Sequence, residues 1–495
     1  NPTNAFSDAN ALFLSAAKYL DSSAQSLFIS LPEIHQPFSR GIVGFGSQNT
    51  FKVAAGSGVP IDKNSSIFSA TQMSSTDGDF AFEKEGEKQS RLNNDQHRIL
   101  AIASYEHRTD QGSANILAAV NAHEGGVPGF LFAPIAHLRS RALFSGLTTS
   151  FAKKINTSEL NITLAHSLFD YETNDQPPVS ERFIASTHEL SWGLNSLKLP
   201  KWLDLKLWQN FVIERAYSVD QTRLGGGFFM RRDMHFNVRL KPKVFAAFGI
   251  MGYEQQGLIF KKDLGVSIEP WEKMLFTARA ARSQRLPTLL EMYVNNRFLA
   301  GNADLKKESI WDIELGSDLT FFDHTQVKFT GYFGYLSDTI AYVPFMATRL
   351  RPTNTGSATR FGLDMAVNYR PVSWLMFESK NTRLRSKLKD TNAPIPNSPP
   401  FLGVTGIRLG PKDIATLSLN SRYKGPSFAD LNGSLRANPY IIFDALATVP
   451  VGRFIALSLS VLNILNVRTA KDSYGMPLPG TTIFGQIELG NESLF

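Results

Sequence analysis

Cysteine is absent from this 495-residue chain. No disulfide framework, thiolate zinc site, iron–sulfur cluster or cysteine nucleophile is therefore open to it. Charge is scarce too: Asp, Glu, Lys and Arg make up 19%, against roughly 25% in an ordinary soluble protein. The 51 basic residues outnumber the 44 acidic ones, an excess too diluted to mark a nucleic-acid partner. Long apolar runs are missing. The best starts at Ala11–Leu14 and is cut by Ser15, Lys18 and Asp21, short of the ~20 residues a transmembrane helix needs. This excludes a helical membrane protein but not a membrane, because a closed β-barrel also satisfies every backbone polar group in lipid. No Lys/Arg-led apolar leader opens the sequence, which reads as a mature or trimmed form. The nine His residues form no His-Glu-x-x-His spacing, and neither a Gly-x-Ser-x-Gly elbow nor a phosphate-cradling P-loop occurs. The chain is expected not to be an enzyme, with no catalytic residues, no metal site and no cofactor.

What is present is alternation of period two. Phe361, Leu363, Met365, Val367 and Tyr369 oppose Asp364, Ala366, Asn368 and Arg370. Leu417, Leu419 and Tyr423 oppose Asn420, Arg422 and Lys424, and Ile455, Leu457, Leu459 and Val461 oppose Ala456, Ser458 and Ser460. The same reading makes a strand of Phe236, Val238 and Leu240 against His235, Asn237, Arg239 and Lys241, and another of Val327, Phe329, Phe333 and Tyr335. Such segments are strands with one apolar and one hydrophilic face, and no long helical segment between them suggests a parallel sheet.

Alternation alone fits either stacked soluble β-domains or a barrel with lipid outside and water inside. Three features favour the barrel. Aromatics flank the strands at Trp202 and Trp208, Trp271 and Phe276, and Trp374 and Phe377. Strands recur without interruption, and Gln284–Lys307 and Asn381–Pro400 read as long polar loops. The expected fold is all-β: a transmembrane antiparallel barrel of about 22 strands over 38–495, with roughly 21 residues per strand and connection. Residues 1–37 form a separate N-terminal segment. Asp8 is placed to cap a short helix whose Phe13, Ala17, Leu20 and Leu27 share a face, ended by Pro32 and Pro37; it reads equally as a docking helix or a locally packed tail. The inward set, from Arg239, Lys241, Asp364, Asn368, Arg370, Asn420, Arg422 and Lys424, is expected to line a lumen.

Several motifs resemble a known family. Ser283-Gln-Arg-Leu-Pro-Thr-Leu-Leu-Glu-Met-Tyr293 is similar to the R-x-P-x-x-x-E-L-Y segment of TonB-dependent outer-membrane receptors. Gly301-Asn-Ala-Asp-Leu-Lys-Lys-Glu308 resembles their G-N-P-x-L-K-P-E loop, with Ala303 and Lys307 in place of prolines. Glu314 with Gly316, Tyr332–Ile340, Asn354-Thr-Gly356 with Gly362-Leu-Asp364, Val461-Leu-Asn463-Ile-Leu-Asn466 and Pro477-Leu-Pro-Gly480 follow in the family's order. Gly78-Asp-Phe80, Arg91-Leu-Asn93 and Gly125-Gly-Val-Pro-Gly129 match its opening hairpins. Structural roles suit these residues: Gly356 and Gly362 for a turn or close backbone approach, Asn302 and Asn463 for side-chain-to-backbone turns.

The resemblance implies a bacterial outer-membrane receptor for energised uptake of a scarce nutrient such as a ferric chelate or cobalamin. It also implies a plug domain of ~100 residues, which is not apparent here. The plug is expected to be truncated or supplied by another chain, with TonB a partner only where a plug is present. The alternative is a plugless barrel serving as scaffold or conduit in a larger envelope complex. Partners are outer-membrane lipid and lipopolysaccharide, a separate plug or other envelope proteins, and no nucleic acid. The resemblance further implies ligand capture by outer loops, with Arg139, Arg141, Arg231, Arg232, Arg285, Tyr293, Arg297, Arg349 and Arg351 as candidates. Guanidinium groups suit anionic chelates and aromatics suit flat apolar ligands; contact with lipopolysaccharide phosphates or plain solvation explains the same residues. Gly225-Gly-Gly227 reads as a flexible loop.

Overall fold

Alternating segments become strands, and 22 of them hydrogen-bond into one antiparallel sheet that closes on itself. The computed structural model describes residues 34–490 apart from residue 35 and short internal gaps, the longest being 199–202, 237–240, 429–435 and 472–476. The helix expected over Asp8–Leu27 lies outside the described residues. Phe38–Gly46 pairs with Thr50–Pro60 on one side and with Thr482–Gly490 on the other. First and last strands thereby join, and no sheet edge is left to face lipid with unpaired backbone groups.

The two ends of the barrel differ. At one end, which holds both the start of Phe38–Gly46 and the close of Thr482–Gly490, connections run two to seven residues. At the other end seven connections run from 12 to 22 residues: 77–95, 127–138, 286–307, 338–357, 389–400, 425–439 and 463–481. Short turns at one end and long loops at the other are the asymmetry of outer-membrane barrels.

Register assigns the faces. Phe361, Leu363 and Met365 stand opposite Phe333, Gly331 and Phe329 of the neighbouring strand, whereas Arg360, Gly362 and Asp364 stand opposite Gly334, Tyr332 and Thr330. The apolar row points outward and stays open, with Phe361 63% and Leu459 51% accessible. Leu363 and Leu457 are exposed on the same face. In water such a belt would be untenable; in hydrocarbon it is the solvated side. Trp271 and Trp374 project at the short-turn end, where amphipathic rings suit the interface.

Among the described residues buried apolar side chains gather in two clusters inside the barrel. At the short-turn end Phe68, Leu100, Ile102 and Ala119 are buried with Ile34 and Phe38 against them. At the loop end Phe183, Ala216, Leu289 and Val294 pack together.

Four local expectations are corrected. The strand Gln221–His235 stops before Phe236, whose N–H bonds the carbonyl of Pro242. Lys241 is a turn residue with φ +40°, so it does not line the lumen, and Arg239 lies outside the described residues. A seven-residue connection had mimicked alternation. Second, Leu375–Leu388 remains strand through much of the supposed loop Asn381–Pro400. Third, Gly225–Gly227 lies within Gln221–His235, where its missing side chains admit the Tyr253 ring beside Gly225 and Asn210 beside Gly227. Fourth, Trp208 points inward with its ring centroid 5.5 Å from that of Phe229 and tilted by 45° to it, so it is no part of an interfacial girdle; Trp202 lies outside the described residues.

Candidate functional site

The inside of the loop end carries a connected polar network. The 22-residue connection after Met274–Arg285 opens with the one-turn helix Leu289–Tyr293. Thr288 caps it: its Oγ1 accepts from the Glu291 N–H at 3.1 Å, and the Glu291 carboxylate accepts from the Thr288 N–H at 2.7 Å. This reciprocal box satisfies two otherwise orphaned donors. The helix then packs on Phe183 and Ala216 of distant strands, which carries the loop inward across the mouth.

Two guanidinium groups hold it there. Arg285 donates to Glu291 Oε2 at 2.9 Å and to Glu308 Oε2 at 2.6 Å, bridging both ends of the loop. Arg223, seated on Glu214 at 2.6 Å, donates to the carbonyl of Pro287 at 2.8 Å. Glu308 Oε1 accepts from the Ile340 N–H at 2.6 Å, which links this loop to the hairpin of Ile340–Met346 and Arg349–Asn354. The hairpin reaches back: Arg349 donates to Asn295 Oδ1 and to the Leu299 carbonyl, and Arg351 to Asn302 Oδ1 at 3.2 Å. Asn354 accepts from the Lys306 N–H at 2.8 Å. Two loops therefore form one cross-braced unit.

The loop-end motifs share this fastening role. Asn93 donates to the carbonyls of Val127, Ile135 and Leu138 at 3.0–3.2 Å, tying 77–95 to 127–138. Asn463, at φ +53°, accepts from the Val467 N–H and donates to the Pro479 carbonyl. Gly356 takes φ +90° where the loop turns back.

The candidate ligand residues separate accordingly. Arg285, Tyr293, Arg349 and Arg351 converge on the mouth, with Tyr293 packed beside the Phe183 cluster. Arg297 lies outside the described residues. Arg139 sits elsewhere on the loop-end rim, bonded to Asp95 at 2.8 Å. Arg141 is exposed and in register with Glu124 and Glu172. Arg231 and Arg232 are not in an outer loop. Both lie on Gln221–His235 near the short-turn end, Arg231 inward over the Phe245 ring at 4.5 Å and Arg232 outward. Counting strands decides this: a run of Phe and Arg looks alike at either end until the number of preceding turns is known.

Below the mouth, charge runs down the inner wall. Asp364 accepts from Thr382 at 2.7 Å, and Arg422 pairs with Asp444 at 2.7 Å. Asn420 stands opposite Asp444, and Asn368 opposite Gln326. Arg370 is at the short-turn rim and donates to Met376 Sδ. Lys424 is buried, with its Nζ 3.4 Å from the Lys471 carbonyl. A ladder absent from the sequence reading joins them: Arg279 grips Asp263 through two bonds of 2.8 and 2.9 Å and reaches Glu314 at 3.1 Å, while Arg360 pairs with Asp312 at 2.6 Å. The individual charges were visible in the sequence. Their pairing needs the registers of five neighbouring strands. Among the described residues no group of three or more His, Asp or Glu is arranged to hold a metal ion.

The family model for the TonB dependent receptor-like β-barrel matches residues 255–467, the segment that carries both mouth loops. Over that segment the chain matches a TonB-dependent receptor-like barrel. The fold agrees with solved receptors. The siderophore receptor PirA of Acinetobacter baumannii superposes with a TM-score of 0.76 at 12% identity, over 93% of this chain and 81% of PirA. The copper transporter OprC gives 0.73 at 12% identity, over 94% and 82%. The iron transporter FrpB of Neisseria meningitidis gives 0.74 at 12%, over 92% and 82%. At such identity the likeness speaks for the fold. Curated proteins yield no significant sequence match. The receptor-like barrel belongs in the bacterial outer membrane, its apolar belt in lipid and its long loops at one face.

Proposed function

We propose that the barrel imports a scarce nutrient, with its braced loops forming the ligand-facing mouth and TonB supplying energy through a plug carried on the same polypeptide or another. The observation that carries this reading is the inward-folded unit of 286–307 and 338–357, held by Arg285, Glu291 and Glu308. A 22-stranded lumen left open would admit solutes indiscriminately; loops folded across it give a surface that discriminates. Support for a chelate as cargo comes from Arg349 and Arg351. Both stand at the mouth, where each donates to the facing loop, and guanidinium groups match carboxylate or catecholate oxygens. The ligand class proposed is an anionic metal chelate, ferric complexes first and cobalamin second. Enzymatic activity is not part of the proposal.

The test is uptake of labelled ferric chelates, copper chelates and cobalamin by cells expressing the complete gene, with TonB present or deleted. TonB-dependent accumulation of one class is the expected outcome. Accumulation of none, in cells where the barrel is folded and surface-exposed, would overturn the transport reading and favour a scaffold.

A further inference from the structure

Two histidines 22 residues apart in the chain meet on the outer wall. His166 of Ser158–Asp175 stands directly opposite His188 of Val179–Lys198, and both side chains are exposed. Their neighbours belong to the lipid belt. Leu147 flanks His166, Ile213 flanks His188, and Leu164 with Leu190 forms the next row toward the short turns; all four are exposed. The next row toward the loop end holds Leu168, Ser186 and Arg215. The pair therefore sits at the upper edge of the apolar belt, where leucines would suit hydrocarbon and ionisable groups are costly.

The geometry of the two rings is that of a chelate. Their Nδ1 atoms lie 3.1 Å apart, while the ring centroids are 4.4 Å apart with planes tilted by 34°. Two rings joined by a straight N–H to N bond would hold their centres farther apart than the nitrogens by a whole ring width. Here the centroids exceed the nitrogens by only 4.4 minus 3.1, or 1.3 Å, so the nitrogens sit side by side. Two nitrogens on one ion at ~2.0–2.1 Å are about 2.9 Å apart at a right angle and about 3.3 Å apart at a tetrahedral one. The observed spacing falls between these.

The surroundings supply the tautomer that coordination needs. Ser186 is 2% exposed, with its Oγ 3.5 Å from His188 Nε2 and 3.1 Å from the Tyr217 hydroxyl. With the ring proton on Nε2 facing Ser186, the lone pair of His188 Nδ1 is free, the outer support that metal-bound imidazoles commonly have. Nearby cations are already matched: Arg215 pairs with Asp220 at 3.1 Å and lies 5.0 Å from the Tyr217 ring centroid, and Arg182 pairs with Asp170 at 2.5 Å. No third His, Asp or Glu joins the pair among the described residues, which leaves the other positions of an ion to water at the rim.

We infer that His166 and His188 bind a late first-row divalent cation (copper(II), nickel(II) or zinc(II)) through their Nδ1 atoms, clamping two neighbouring strands at the outer rim. Neutral imidazole suits these ions, and copper(II) binds such nitrogen donors tightest. Coordination needs only that His166 carry its ring proton on Nε2, so both Nδ1 lone pairs face the ion. The ion is a clamp and not cargo, and the inference is independent of the transport reading.

The test adds copper(II) alone to the full chain in detergent micelles at neutral pH. Binding of one ion per chain is expected, with nitrogen hyperfine splitting from two imidazoles in its electron paramagnetic resonance spectrum. His166→Gln or His188→Gln should weaken binding at least tenfold. A control carrying His97→Gln and His107→Gln removes imidazoles that bond Ser75 and Ser65 elsewhere, and should change it less than twofold. Unchanged affinity in either single variant would overturn the site, as would splitting from one nitrogen only in the wild type. If the variants misfold, the native chain still decides the question. Zinc(II) should protect His166 and His188 from carbethoxylation while His97 and His107 stay reactive; equal protection of all four, or of none, would refute the pair.

Discussion

Arg285 shows how one side chain holds a functional surface in place. It is nearly buried, and two carboxylates depend on it. Removing one member of such a group strands the remaining charges in low dielectric, at a cost of about 3–5 kcal/mol. Arg285→Ala is therefore expected to release the mouth loop, raising hydrogen exchange across 286–307 without altering exchange in Ile455–Leu462. Arg285→Lys should recover part of the protection, because a single ammonium cannot reproduce the fork that reaches both Glu291 and Glu308. Gly362 illustrates a different constraint. A Cβ there would lie 2.2 Å from the Tyr332 ring, and Tyr332 is itself covered by Arg360, 5.9 Å from its centroid. Gly362→Ala should lower stability by about 1–3 kcal/mol through overpacking. The melting temperature of the folded barrel reports it, and Tyr332→Ala in the same chain should restore most of the loss.

At the scale of the strand, alternation assigns each side chain to lipid or water. Leu457 and Leu459 are exposed on the outer face and alternate with Ser458 and Ser460. Nitroxide labels at 457 and 459 should be relaxed by oxygen dissolved in lipid, and labels at 458 and 460 by an aqueous nickel chelate. Equal aqueous access at all four would refute the barrel assignment. On Leu375–Leu388 the same scan should reverse above Asn381, since basic residues take the outward positions there. This reversal explains why the segment resembled a loop: an alternation whose phase carries opposite polarity in its two halves averages to a uniformly polar stretch.

For the whole molecule the decisive fact is which loops meet across the mouth. Replacing 288–303 by a short Gly/Ser linker removes the helix, its capping box and the partners of Arg349. Single-channel conductance in planar bilayers should then rise above that of the intact chain, and cells carrying the variant should become sensitive to antibiotics too large for porins. Unchanged conductance would mean that this loop does not obstruct the passage. Added protease should cleave within the long connections from outside intact cells, since all seven lie at one end.

Much of this was legible in the chain itself. Apolar and polar residues alternate because each strand has two solvents, so Phe361, Leu363 and Leu457 declared their face without reference to any neighbour. Strand number followed from length and the span of the lipid core, and the loop-end motifs announced themselves by order and spacing. Tertiary structure alone decided the rest. Arg231 could be placed at the short-turn end only by following the chain through every preceding reversal. Arg279 could be matched to Asp263 and Glu314 only through the registers of adjoining strands, because alternation reports direction and carries no information about height. The motif residues Arg285, Asn302 and Glu308 were visible as a pattern, yet their bond to a hairpin some 50 residues onward, as Arg351 makes to Asn302, depends on the barrel bringing distant loops over one opening. Periodicity is set by local solvation and is written residue by residue; pairing is set by closure of the sheet, which no local segment contains.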